Sequence, residues 1–237
     1  FSLKQGSVDV SDSGLNYNLY WKRSLASAML CQNIIQRLGN TSKDCAFLAG
    51  LLQDIGMLAL DKAKPDLYRN AGFKQSDHNA LCNLEIDALN SDHSMVGAWL
   101  LEQWHLPGNL LEPIQNSHAA VHDKLECTSD LSKAVACSSV FADIFIANEN
   151  DIHTLISTAI NQAKTIINFS DQEFHDILES TSENYTDLAQ MFDIELPNSN
   201  MLDFISEQAK EVLILRNLNQ IKETEYLQKT ASKLESK

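Results

Sequence analysis

Apolar residues recur at steps of three and four along most of the 237-residue chain, a spacing that gathers them on one face of successive helices. Breakers are scarce, because the chain holds only 8 glycines and 4 prolines, whereas a turn-rich β-fold needs more of both. The first clear helix runs from Leu15 to Leu38, where Gly39 suits the left-handed conformation that ends many helices. The sequence therefore predicts an all-α, multi-helix fold.

Composition narrows the classes of partner. The formal net charge of −14 disfavours nucleic acid, because phosphate contacts require clustered Lys and Arg, and we interpret the acidity as a solvated surface. No apolar run approaches the roughly 18–20 residues of a transmembrane helix, so we expect no membrane partner. The five cysteines are odd in number and form no C-x-x-C pair, which is typical of reduced thiols in a cytoplasmic protein.

The last part of the chain differs in charge from the rest. Residues 205–237 carry six basic and five acidic side chains, whereas residues 1–204 carry 12 basic and 27 acidic ones. This predicts a helical domain over 1–204 and a long C-terminal helix over 205–237, leading to a partner chain or a missing downstream domain. The alternative is a helix that packs on its own domain. Two apolar sets, one residue out of register, form a weak coiled-coil stripe: Ile214, Leu218 and Ile221, then Leu227, Ala231 and Leu234.

One carboxylate interrupts a strongly apolar run. Residues 47–58 are almost entirely apolar apart from the polar pair Gln53-Asp54. An unpaired buried carboxylate is costly because it loses its hydration. Asp54 therefore requires a nearby cation, several hydrogen-bond donors or a place at the mouth of a cleft.

Aromatic and imidazole side chains mark the later helices. Trp99 and Trp104 lie in a helical pattern, and we predict both in the core rather than at a ligand site. His93 begins that helix, and His118 ends the next one. For both histidines a structural role at a helix end and a pocket-lining role stay open.

Four stretches follow one another as they do in a known regulatory domain. They are residues 20–26, 51–58, 93–107 and 114–118, and the third, His-x-x-Val-Gly-Ala-x-Leu-Leu-x-x-Trp-x-Leu-Pro, is the most specific. The set resembles the HDOD domain, a regulatory and catalytically degenerate branch of the HD and HD-GYP phosphohydrolase superfamily. The likeness covers roughly residues 15–200 and implies an HD-domain-like helical bundle.

The resemblance also identifies candidate site positions. The parent enzymes hold a divalent ion with histidines and carboxylates, and the ion lowers the pKa of bound water. By the resemblance, the ligand positions fall on Arg23, on Gln53 and Asp54, and on Ser139, with Asp143 one turn later as a possible substitute. Extra histidines of the HD-GYP relatives correspond to His93 and His118, with Ser117 before the latter.

These replacements predict a degenerate site. Arg23 cannot coordinate a metal and brings a positive charge, which would oppose an ion held by Asp54, His93 and His118 alone. We therefore expect no catalytic residue, no metal and no cofactor. Instead, the Arg23 guanidinium would neutralise the Asp54 carboxylate.

The resemblance implies a non-enzymatic regulatory module in bacterial signal transduction. Its expected partner is another protein or an attached GGDEF, EAL or receiver domain, and the C-terminal helix could form a homodimer. Two alternatives stay open: a residual metal-dependent phosphohydrolase or cyclic-dinucleotide phosphodiesterase, and a sensor that binds an anion or nucleotide in the vacated metal cleft, where Arg23 would suit an anionic ligand.

Overall fold

The computed structural model describes residues 13–39, 42–71, 77–118, 129–194 and 200–235. These residues form α-helices and one short 3-10 helix without a β-strand, which confirms the all-α prediction. Cys127 lies outside the described residues, and the other cysteines are free thiols. The helices are α1 Tyr17–Leu38, α2 Lys43–Leu52, α3 Ile55–Ala63, α4 Pro65–Ala71, α5 His78–Leu89, α6 His93–Gln103, α7 Gly108–Gln115, α8 Asp130–Phe141, the 3-10 helix Ala142–Phe145, α9 Ile152–Ile167, α10 Asp171–Met191 and α11 Asn200–Glu235.

Local side-chain chemistry sets many of the helix ends. Helix α1 ends at Gly39, whose φ of 89° is left-handed, as its sequence predicts. At α6, Asp92 is the N-cap and its carboxylate accepts from the backbone N–H groups of Ser94 and Met95. Helix α10 begins with a reciprocal capping box between Ser170 and Glu173.

Two apolar clusters fill the bundle. The larger one joins α1 and α2 to α8, α9, α10 and the first turns of α11, and the smaller one joins the start of α1 to α3, α4 and α5. Burial of these apolar surfaces is the main force holding the helices together. Helix α1 connects the two clusters, because it contributes residues to both.

Helices α3 and α6 cross unusually closely at two glycines. A Cβ atom built on Gly56 would lie 2.0 Å from the backbone oxygen of His93, and one on Gly97 would lie 3.2 Å from the backbone nitrogen of Gly56. Only a residue without a side chain allows this approach. The crossing brings the α2–α3 turn, with Asp54, next to the first residue of α6, which is His93.

Helix α11 is long, as its sequence predicts, and changes environment along its length. Ile205, Ala209 and Val212 are buried in the larger cluster, and Arg216 forms an ion pair with Asp171 of α10 at 3.0 Å. From Ile214 to Leu227 its apolar side chains are exposed: Ile214, Leu215, Leu218, Ile221, Tyr226 and Leu227. The division of the chain at residues 204 and 205 stays a prediction.

The two tryptophans of the α6 region are not in the core. Trp99 is 60% exposed and Trp104 is 57% exposed, so the prediction that both are core residues is wrong. Helix α6 instead buries the face that carries His93, Gly97 and Leu101, because that face meets α3 and α7. Helical spacing alone did not distinguish the two faces.

Candidate functional site

Arg23 lies at the centre of a buried ion-pair network. From α1, its Nε donates to Asp143 at 2.9 Å, NH1 contacts the Oδ2 atom of Asp54, and NH2 donates to the backbone oxygen of Ser139 at 2.6 Å and to its hydroxyl at 3.1 Å. All of these side chains are buried. The structure therefore shows the Arg23–Asp54 pairing that the sequence predicts, with Asp143 as a second carboxylate.

The two carboxylates on Arg23 differ in acidity. Burial disfavours ionisation of Asp54, but the Arg23 guanidinium and the neighbouring histidines hold its pKa well below the usual range. Burial raises the pKa of Asp143 to about 6, although the same guanidinium opposes the rise. Asp54 is thus the carboxylate that chiefly balances the arginine.

Three imidazole rings meet beside Asp54. The Nε2 atoms of His78 and His118 lie 2.9 Å apart, and those of His78 and His93 lie 3.2 Å apart. The rings pack edge to face, with centroids 4.5 to 4.8 Å apart. The Oδ1 atom of Asp54 lies 3.5 Å from His93 Nε2 and 3.7 Å from His78 Nε2. We call these four residues the histidine cluster.

Buried carboxylates lie at the Nδ1 atoms of two of the imidazoles and hold these rings in place. His93 Nδ1 lies 2.7 Å from Glu85 Oε2, and Glu85 also accepts from the backbone N–H of His93 at 2.8 Å and from the Tyr68 hydroxyl at 2.7 Å. His118 Nδ1 lies 3.5 Å from Asp92 Oδ2 and 3.7 Å from Cys82 Sγ. In both rings the Nδ1 side faces a carboxylate, and the Nε2 side faces the cluster.

Burial and charge set the protonation of the imidazoles. Burial opposes a charge on His93, but Glu85 and Asp54 outweigh it and raise its pKa to about 10. Burial and the Arg23 charge lower the pKa of His78, and burial with the charge of His93 lowers that of His118. Without a metal, the proton therefore rests on His93 between two carboxylates.

A family model for the HDOD domain matches residues 1–120, which is half of the chain. The chain belongs to the HDOD family. HDOD domains generally lack catalytic activity, and membership indicates a signalling-related function. The part of the chain that the model matches includes Arg23, Asp54 and the whole histidine cluster.

Other comparisons add little to this assignment. No curated protein matches the HDOD chain. Among solved structures, the MmoQ response regulator from Methylococcus capsulatus str. Bath is similar at 22% identity and a TM-score of 0.45, covering 69% of this chain and 61% of that one. The chain thus spans less than two thirds of that structure. Within the described residues, no helix combines the length and apolarity needed to cross a membrane.

The structure brings most of the predicted site residues of this HDOD domain together. Arg23 contacts both Asp54 and Ser139, His93 lies 3.5 Å from Asp54, and His118 joins them through His78. Gln53 is fully buried, and neither its amide oxygen nor its nitrogen has a hydrogen-bond partner.

Sequence reasoning missed part of the site. His78, Cys82 and Glu85 of α5 are buried and complete the surroundings of His93 and His118. Their spacing of four and three residues places them on one helix face, which is a signal that the sequence carries.

Four side chains of this region could hold a metal ion. One ligand atom from each of His78, Cys82, His93 and His118 lies within 4.8 Å of the others. The Asp54 carboxylate adds an oxygen at the same place. Chemically the region offers nitrogen ligands, one carboxylate and a thiol, all buried.

Proposed function

We propose that this HDOD domain is a non-enzymatic regulatory module of bacterial signal transduction, acting in the cytoplasm on an attached or partner output domain of GGDEF, EAL or receiver type. Membership of a family that generally lacks catalytic activity supports a non-enzymatic role. The length and exposed end of α11 support action on an attached or partner domain.

The observation that carries the proposal is the divided environment of α11. Ile205, Ala209 and Val212 anchor its first turns in the core, whereas the apolar side chains from Ile214 to Leu227 are exposed. At 1.5 Å per residue, the 36-residue helix is about 54 Å long. A change of packing in the bundle is thus passed along a continuous helix to whatever binds its exposed end.

We propose a second copy of the chain as the first occupant of this exposed end. Leu218 and Ile221 follow Ile214 at the four- and three-residue steps of a coiled-coil seam. Two such helices would shield the apolar side chains that one helix leaves in water.

The test is the mass of the protein in solution, measured by light scattering after size exclusion. We expect the 237-residue chain to form a dimer, and the double variant Leu218→Asp, Ile221→Asp to be a monomer. The variant Asn217→Asp, Gln220→Asp adds the same charges at the same spacing on exposed positions and should leave the dimer intact. A monomeric wild-type chain would refute the dimer, and a dimeric Leu218→Asp, Ile221→Asp variant would refute an interface through these side chains.

The structure gives less support to the two alternatives. An anion sensor would need donors on Arg23, but its Nε, NH1 and NH2 atoms already bind Asp143, Asp54 and Ser139. A hydrolase would need a reactive group that substrate can reach, whereas these side chains and the histidine cluster are buried.

Turnover measurements test the proposal that the domain is not an enzyme. We expect no hydrolysis of bis-p-nitrophenyl phosphate or of a cyclic dinucleotide with Zn²⁺, Mn²⁺ or Fe²⁺ beyond that of Asp54→Ala. Metal-dependent hydrolysis by the wild-type chain that Asp54→Ala loses would establish an enzyme instead.

A further inference from the structure

We propose that the histidine cluster binds one divalent transition-metal ion through the Nε2 atoms of His78, His93 and His118 and the Oδ1 atom of Asp54. This inference goes beyond the proposed function and does not depend on it. It also reverses our expectation from the sequence, in which Arg23 left no place for a metal.

The first argument is the spacing of the three ring nitrogens. His78 Nε2 lies 2.9 Å from His118 Nε2 and 3.2 Å from His93 Nε2. An imidazole nitrogen has one proton or one lone pair, directed in the ring plane, so His78 cannot form two straight hydrogen bonds there. Nitrogens that bind one ion at 2.0–2.1 Å lie about 2.8–3.4 Å apart when the angles between the ligands are about 90–110°. The observed spacing is close to that of a ligand set.

The second argument is a carboxylate oxygen without a donor. Asp54 is 1% exposed, and its Oδ1 atom accepts no hydrogen bond, although its Oδ2 atom contacts Arg23. A buried charged oxygen left without a partner is costly and rare in folded proteins. Because Oδ1 lies 3.5 Å from His93 Nε2 and 3.7 Å from His78 Nε2, an ion among the nitrogens would also satisfy this oxygen.

The third argument is the set of groups behind the rings. Histidines that bind metals usually donate their other ring N–H to a carboxylate, which fixes the tautomer and the orientation of the ring. Glu85 lies 2.7 Å from His93 Nδ1, and Asp92 lies 3.5 Å from His118 Nδ1. With the Nδ1 proton facing a carboxylate, each neutral ring has its lone pair on Nε2, and on His93 the ion would replace the proton that Nε2 holds in its absence.

The fourth argument is the balance of charge. Four buried carboxylates, those of Asp54, Glu85, Asp92 and Asp143, surround the region, whereas the described contacts place two cations among them, Arg23 and the protonated His93. Negative charge is therefore in excess, and a divalent ion would offset it. Arg23 does not block the ion, because it binds Oδ2 of Asp54 while the imidazoles face Oδ1.

The ligand set indicates the class of ion. Imidazole suits Zn²⁺, Fe²⁺, Co²⁺ and Ni²⁺, whereas Mg²⁺ and Ca²⁺ prefer sites built from oxygen. All four ligands are at most 3% exposed, which is typical of a closed structural site rather than a catalytic one. Such an ion would tie together the start of α5, the start of α6, the turn after α7 and the α2–α3 turn.

Cys82 lies beside this site but does not belong to the ligand set. Its Sγ atom is 3.7 Å from Nδ1 of His118, on the other side of the ring from Nε2. Burial raises the pKa of this thiol, which disfavours the thiolate that a metal would need. Cys82→Ser therefore serves as a variant next to the site that should keep metal binding.

The test uses the whole chain, stripped with a chelator and titrated with Zn²⁺ alone. We expect one ion per chain by elemental analysis and calorimetry, and a rise in Tm of about 5–10 °C at a hundredfold excess over Kd. His78→Gln and His93→Gln should lose both effects. Cys82→Ser should keep them, and so should His105→Gln, the same substitution at an exposed histidine.

X-ray absorption at the zinc edge of the wild-type protein decides the matter if a variant fails to fold. We expect three nitrogen neighbours from imidazole and one oxygen neighbour at about 2.0–2.2 Å. Absence of saturable Zn²⁺ binding, binding that survives in folded His78→Gln, or a sulfur neighbour would each overturn the proposal. None of these results bears on the dimer or on turnover, so the proposed function is judged separately.

Discussion

Replacing Arg23 by methionine removes the cation of the buried network while keeping a long side chain in its place. The variant loses the contacts of Arg23 with Asp54, Asp143 and Ser139 and leaves buried carboxylates without their guanidinium. Removing one partner of a buried ion pair costs about 3–5 kcal/mol, because the remaining charge stays desolvated. Asp143 would relieve part of this cost by binding a proton, since its pKa is already raised to about 6.

The assay is urea unfolding followed by circular dichroism, with chelator present in every sample so that no metal contributes. With a slope of about 3 kcal/mol per M, the loss lowers the midpoint by about 1 M or more. Arg37→Met is the matched control, because the Arg37–Asp176 pair at 3.1 Å is largely exposed and contributes at most about 1 kcal/mol.

A double variant distinguishes the loss of the Arg23–Asp54 attraction from the cost of leaving the Asp54 carboxylate buried without a partner. Asp54→Asn added to Arg23→Met removes the carboxylate that the first change leaves unpaired, so the double variant should be more stable than Arg23→Met alone. If Arg23→Met shifts the midpoint no more than Arg37→Met does, the buried network contributes little and our reasoning about Arg23 is wrong.

Three further changes test other parts of the structure. Gly56→Ala should lower the free energy of unfolding, measured by urea titration, by about 1–3 kcal/mol, because the new Cβ would clash with the backbone oxygen of His93. An unchanged urea midpoint would mean that α3 and α6 do not cross so closely. The raised pKa of Asp143 means that the folded chain binds more protons than the unfolded chain between pH 4 and 6. In urea titrations the free energy of unfolding of the wild type should therefore fall by up to about 3 kcal/mol relative to Asp143→Asn as the pH rises from 4 to 7. A difference between the two proteins that does not change with pH would contradict the shift. Ser170→Ala should cost about 1 kcal/mol by thermal unfolding, since it removes the capping box with Glu173, and a Tm within error of wild type would argue against that cap.

The sequence by itself determined the features that depend on neighbouring residues. Helical periodicity with few breakers predicts the all-α fold, Gly39 ends α1, and Ser170 with Glu173 begins α10, because caps and turns are formed by residues a few positions apart. The cost of burying a charge also required for Asp54 a nearby cation, several hydrogen-bond donors or a place at the mouth of a cleft. Its pairing with Arg23, 31 residues earlier, followed from the resemblance to the HDOD family and is present in the structure.

The tertiary structure decided which helix faces are buried and which distant residues meet. His78 joins His93 and His118 because α5, α6 and the turn after α7 converge, and the close crossing at Gly56 brings Asp54 to them. No local pattern contains that convergence, since burial depends on the partner that covers each face. For the same reason Trp99 is exposed. The resemblance to the HDOD family predicted an arginine in place of a metal, whereas the folded chain places three imidazoles beside the other oxygen of the same carboxylate.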